Sequence, residues 1–160
     1  MAFKRAFRGV TMLSPYTLVK GKHLYGTPPF YAVVQTDGSF YSHTKRTRVA
    51  AILTPSVLNH VQKRVLTVEN AASSTEAEWC SVVFGLHLAL EQGEHSVALE
   101  NDNLGVIHGL ITPGTQFRHE YARYYKDQLL KLARNADYVG ARWIPRELNR
   151  ADALFRPTII

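Results

Sequence analysis

Ala98-Leu99-Glu100-Asn101-Asp102-Asn103-Leu104-Gly105-Val106-Ile107-His108-Gly109-Leu110 is the stretch that decides the fold. Ser96 to Glu100 alternates as a strand does, with Val97 and Leu99 apolar. Asp102 falls where that strand stops, and Val106, Ile107 and Leu110 recur at helical spacing from Asn103 onward. A carboxylate at the C-terminal tip of a strand, beside a helix start, is where open α/β sheets carry their chemistry.

Upstream, Ser73-Ser74-Thr75-Glu76 reads as a capping box, with Ser73 as cap and Glu76 reaching back. Ala77, Val82, Val83, Leu86, Ala89 and Leu90 continue an apolar helical face to Gly93, a C-terminal stop. Trp79 and Cys80 sit on this helix as packing residues. Before it, Phe30–Thr36 is β-branched and aromatic and ends at Asp37-Gly38-Ser39, read as a tight turn. Arg48–Thr54 and Val61–Val68 are two further strands, so residues 30–68 form an antiparallel meander. Downstream, Phe117–Ala136 is a long helix with Phe117, Tyr121, Tyr125, Leu129 and Leu132 on one face. Tyr138–Ile144 is a fifth strand, and Leu148–Arg156 a short final helix. Trp143 reads as a core or half-buried sheet residue. The order βββαβααβα predicts an α/β fold: a five-stranded mixed sheet, a three-strand meander plus two more strands, flanked by helices.

The length, 160 residues, suits one domain with a full core. No apolar run is long enough to span a bilayer, and no secretory signal is evident. The single cysteine, Cys80, excludes an internal disulfide framework and suits an intracellular, reducing compartment. The net charge of +6 is uneven. Lys4, Arg5, Arg8, Lys20 and Lys22 all precede the first acidic residue, Asp37, after which the charges nearly balance. Residues 1–29 are therefore read as a basic N-terminal arm that ends at Thr27-Pro28-Pro29, and residues 30–160 as the folded domain. Phe3, Phe7 and Val10 recur at helical spacing in the arm. A mitochondrial presequence, a plain surface extension and an arm that contacts RNA or a protein partner all fit that pattern.

Four carboxylates stand at defined places: Asp37 at the end of the first strand, Glu78 a turn into the first helix, Asp102 after the fourth strand and Asp152 in the last helix. Each alone has a plain reading as a turn residue, helix charge or cap. Together, if the first and fourth strands are neighbours, they converge on one rim. Four clustered carboxylates repel unless cations neutralise them, and an all-oxygen acidic site suits Mg2+ or Mn2+.

In that order the motifs resemble type 1 ribonuclease H, within the wider ribonuclease H-like superfamily, from about Tyr31 to Arg156. Thr36-Asp37-Gly38-Ser39 resembles the family's first-strand Asp-Gly-Ser, and Ser74-Thr75-Glu76-Ala77-Glu78-Trp79 its helix motif, which singles out Glu78 over Glu76. Asn101-Asp102-Asn103 with Val106–Leu110, and Ile144-Pro145-Arg146-Glu147 with Asn149, Ala151, Asp152 and Leu154, resemble its third and fourth motifs. The resemblance implies hydrolysis of the RNA strand of RNA–DNA hybrids with two divalent ions held by Asp37, Glu78, Asp102 and Asp152. It further implies support from Asn149 and Arg146, and nucleic-acid contacts by Ser39, Lys45, Arg46, Ser74 and Asn103. The chain departs from the family pattern in two loops. Phe40–Arg46 replaces the Gly- and Pro-rich loop, and Trp143-Ile144 runs straight into Pro145-Arg146-Glu147 where a loop bearing a product-release His is usual. The missing Gly- and Pro-rich loop and the basic arm support the alternative, a non-catalytic RNA-binding or structural component of a ribonucleoprotein, with structured RNA as partner.

Overall fold

Strand β2 (Ala32–Tyr41) runs through the middle of the sheet. The computed structural model describes residues 14–57, 60–68 and 71–156. Its other strands are β1 (Tyr16–Lys20), β3 (Arg46–Thr54), β4 (Gln62–Val68), β5 (Ser96–Asn101) and β6 (Tyr138–Trp143). The helices among the described residues are α1 (Ser74–Glu91), α2 (Leu104–Ile111) and α3 (Glu120–Ala133). Two 3-10 turns, Arg146–Leu148 and Arg150–Phe155, close the described chain. The strand order is β1-β6-β5-β2-β3-β4. β2, β3 and β4 form the expected antiparallel meander, and β2–β5 and β5–β6 are parallel.

The sheet has six strands rather than the five expected. The sixth is β1, which lies within the segment read as an arm and pairs antiparallel with β6, Tyr16 opposite Ala141 and Lys20 opposite Tyr138. Its Tyr-Thr-Leu-Val run has the composition of a strand, and the free edge of β6 supplies the partner. The amphipathic spacing of Phe3, Phe7 and Val10 lies outside the described residues. Among the described residues, no helix is long and apolar enough to cross a membrane.

The core lies on one sheet face. Val34, Leu53, Val97, Leu99 and Val139 meet Trp79, Val82, Leu86 and Ala89 of α1 and Leu129 and Ala133 of α3. Tyr121, Tyr125 and Leu132 pack at its margin, as the spacing of α3 predicts. The opposite face has a smaller apolar cluster, Ala50 and Ile52 against Ala151, Leu154 and Phe155 of the final turn.

The capping signals at α1 hold. The Ser73 hydroxyl accepts from the Glu76 N–H at 3.2 Å, and the Glu76 carboxylate accepts from Ala72 N–H at 3.0 Å. Gly93, at φ 85°, ends the helix, and Glu94 N–H bonds back to Ala89 O at 3.0 Å. Other boundaries move. α3 spans Glu120–Ala133 instead of 117–136, because Phe117 leaves the helix axis to meet Trp79 edge-on at 5.6 Å. The final segment forms 3-10 turns rather than one helix from Leu148 to Arg156, because Asn149 at their junction turns its side chain to cap Ala151.

Candidate active site

Asp37 does not end a strand. β2 continues through Asp-Gly-Ser to Tyr41, with Asp37 opposite Ala50 and Gly38 opposite Val49, and the chain reverses only after Tyr41. Gly38 answers a packing need rather than a turn. A Cβ there would strike the backbone of Ala77 and Glu78, so its absence lets the start of α1 lie directly on β2. The Gly38 N–H donates to the Glu78 carboxylate across this contact. Strand and helix thus bring Asp37 and Glu78 together.

β2 and β5 pair in parallel up to Gln35 opposite Glu100. Beyond that rung the Thr36 carbonyl accepts from two side chains, Asn101 Nδ2 at 3.0 Å and Asn149 Nδ2 at 2.9 Å. Asn101 Oδ1 also accepts from Asn103 N–H at 2.7 Å, and Asn103 caps α2 by accepting from Val106 N–H at 3.1 Å. Asp102 is held between these bonds at the strand tip. Ligand oxygens of Asp37, Glu78 and Asp102 all lie within 4.8 Å of one another.

These carboxyls line a cavity of about 480 Å³ together with Asp152. Ser39, Ser74, Asn103 and Arg146 line the same cavity, as do Thr75 and Phe155, which the sequence did not single out. Asp152 stands on the wall, ion-paired with Arg156 at 2.8 Å, and is not among the three clustered carboxylates. Asn149 is buried beneath them as a brace between Thr36 and Ala151. Lys45 and Arg46 lie elsewhere, in a second cavity walled by Thr67, Val68, Ala71 and Ala72.

Burial is the main cause of the site's acid–base behaviour. It pushes Asp37 up to about 7, and the negative charges of Asp102 and Asp152 push the same way. Glu78 rises to about 9, from burial first and then from the Asp37 charge. The hydrogen bond between Asp37 and Glu78 favours the proton on Glu78. Asp102 is raised by burial, against the pull of Arg146 and the Asn149 amide. Three converging acids held above their ordinary range are a donor set short of positive charge, and a hard divalent cation fits it.

A further network escaped the sequence reading. Gln35 Nε2 donates to Glu100 Oε1 and to Leu148 O, both at 3.0 Å. Gln35 Oε1 accepts from Arg150 N–H at 3.0 Å and Nε at 3.1 Å, and Arg142 Nε donates to buried Glu100 at 2.6 Å. These bonds fasten the segment carrying Asn149 and Asp152 to the sheet. The one trace in the sequence is Glu100, an acid inside an otherwise apolar strand. Trp143, expected in the core or half-buried, is 45% exposed, because its indole N–H reaches out of the strand end to Asp102 O at 3.0 Å.

Residues 35–155 match the model of the family described as reverse transcriptase-like. No curated protein matches the chain. Among solved structures, the chain is similar to RNase H1 from the halophilic archaeon Halobacterium salinarum, at 22% identity and TM-score 0.70, over 77% of this chain and 92% of that one. It is also similar to the N-terminal RNase H domain of a Mycobacterium tuberculosis protein solved as a fusion with maltose-binding protein. That match has 20% identity and TM-score 0.68, over 78% and 90% of the two chains. A third match, LC11-RNase H1 in complex with an RNA/DNA hybrid, has 14% identity and TM-score 0.64, over 77% and 92%. The fold is that of ribonuclease H.

Proposed function

The chain belongs to the reverse transcriptase-like family, and from that premise we propose that it is a divalent-metal-dependent endonuclease that hydrolyses the RNA strand of RNA–DNA hybrids. The observation that carries this reading is the convergence of Asp37, Glu78 and Asp102 within 4.8 Å at one open cavity. The RNA/DNA hybrid bound in the similar LC11-RNase H1 structure supports the choice of duplex.

In this reading Asp37, Glu78 and Asp102 would hold a Mg2+ or Mn2+, and Asp152 would help to hold a second. Such ions would supply Lewis acidity for phosphodiester hydrolysis. The chain's own residues do the positioning. Ser39, Ser74 and Thr75 offer hydroxyls and Asn103 an amide along the cavity wall, groups suited to phosphate oxygens and 2′-hydroxyls. Arg146 brings positive charge beside Asp102 and toward an incoming phosphate. Asn149 and Gln35 keep the Asp152 segment against the sheet.

The test is cleavage of an end-labelled RNA–DNA hybrid by the full chain with Mg2+ or Mn2+, beside Asp102→Asn. RNA-strand cutting by the wild type that is lost in Asp102→Asn is the expected result. A folded wild type that cuts nothing with either metal overturns the reading in favour of a non-catalytic RNA-binding role.

A further inference from the structure

Beside the Asp102 strand tip, where Trp143 meets Asp102 O, lies a further cavity, of about 700 Å³ and largely apolar. Its rim carries three exposed apolar side chains: Tyr16 at the start of β1, Leu104 at the start of α2 and Trp143 at the end of β6. Ile107 and Ile111 of α2 contribute to its lining. Large side chains gathered round one open cavity mark a binding surface rather than ordinary surface scatter.

Two observations say what the cavity takes. First, it borders the carboxylate site. Asp102 and Asn103 line one cavity and the next residue, Leu104, lines the other. The Trp143 indole is anchored to Asp102 O at 3.0 Å, so its ring stands at a fixed angle beside the strand tip. Second, no acidic side chain lines this cavity, and Arg142 on its wall is already ion-paired with Glu100. An aromatic-rimmed apolar surface without acidic side chains, next to the carboxylate site, suits a planar base on a polyanionic strand.

Resting on the nuclease reading above, we propose that this groove binds an unpaired nucleobase of the strand that runs on from the carboxylate cavity, stacked on Trp143 and Tyr16. The preferred substrate is then a hybrid that carries a single-stranded extension, or a junction between hybrid and single strand, over a blunt hybrid.

Tryptophan emission reads this directly, because the other indole, Trp79, is buried against Phe117. The full chain carrying Asp102→Asn is titrated in Mg2+ with a blunt hybrid and with hybrids of the same duplex length extended by four unpaired nucleotides at the RNA 3′ or 5′ end. One polarity of extension should bind roughly 5- to 100-fold more tightly and quench Trp143 emission, as stacking of one base predicts. Tyr16→Ala and Trp143→Leu should each reduce that advantage, and Tyr16→Ala should leave blunt-hybrid affinity unchanged. Equal affinities for blunt and extended hybrids overturn the inference, as does an advantage that survives both substitutions. So does a free chain whose Trp143 already emits as a shielded indole that no oligonucleotide quenches, which assigns the groove to another part of this protein or to a second copy. Wild-type cleavage of the blunt hybrid is measured alongside. If it succeeds while extension has no effect, this inference alone fails; if no hybrid is bound or cut, the nuclease reading fails and the inference with it.

Discussion

Replacing Asp37 by Asn should stabilise the metal-free protein and weaken its response to metal. Asp37 rises from 3.8 to about 7 in the folded chain, so ionising it there costs about 4 kcal/mol more than in the unfolded chain. Coulomb repulsion from Asp102 is of similar size, at least about 3.5 kcal/mol for charges no more than 4.8 Å apart at an effective dielectric near 20. The open side of the cavity and the nearby Arg146 reduce the net gain from Asp37→Asn to about 2 kcal/mol at pH 8. For a chain of this size that is a rise in Tm of roughly 4–8 °C. The sign follows from proton counting. Between the ordinary values of 3.8 and 4.5 and the folded values near 7 and 9, the folded state holds protons on Asp37 and Glu78 that the unfolded state has lost. The contribution of the pair to stability therefore falls as pH rises across that window. The assay is thermal unfolding with EDTA and with saturating Mg2+, at pH 5 and pH 8. With EDTA, Asp37→Asn should melt above wild type at pH 8, and the gap should shrink at pH 5. Mg2+ should raise wild type by about 3 kcal/mol at a hundredfold excess over Kd and the variant by less, narrowing or reversing the order. A variant that melts below wild type in EDTA at pH 8, or a gap that does not change with pH, would refute the electrostatic account.

Other positions test the scaffold. Gly38→Ala places a Cβ against the Ala77 carbonyl and Glu78 N–H, so α1 must move off β2; a loss of at least 2 kcal/mol in urea unfolding, with reduced Mg2+ affinity by calorimetry, is expected. Gln35→Ala leaves the Leu148 carbonyl and the Arg150 N–H without their partner and should cost about 2–3 kcal/mol in the same assay. Its cleavage of hybrid should fall further than that of Ser73→Ala, which loses a helix cap and about 1 kcal/mol without touching the Asp152 segment. Leu86→Ala, in the fully buried face of α1, should cost about 2–5 kcal/mol and leave the metal response of the folded protein intact.

The elements were legible in the sequence wherever their signals are local. A continuous apolar run made β3 readable and alternation β5, the Ser73–Glu76 box placed the start of α1, and Gly93 placed its end. The order Asp37, Glu78, Asp102, Asp152 on those elements pointed to one rim, and the structure places the first three in a cluster there and Asp152 on the wall of the same cavity. What the chain alone left undecided depends on partners distant along it. Asp-Gly-Ser reads locally as a turn; it is a strand because β3 lies alongside, and its glycine is required by the backbone of α1. Tyr16–Lys20 reads as part of a basic arm; it is a strand because β6 presents an unpaired edge. The brace that holds the Asp152 segment joins Gln35 to Leu148 and Arg150 across 113 and 115 positions, and no local pattern marks it. Trp143 stands outside the core because its indole finds a carbonyl 41 positions away. Hydrophobic periodicity and caps report neighbours a few residues off, so they determine which segments become helix or strand. Burial, pairing at sheet edges and the pKa of a carboxyl are set by groups that only folding brings within reach, and those were decided by the tertiary structure.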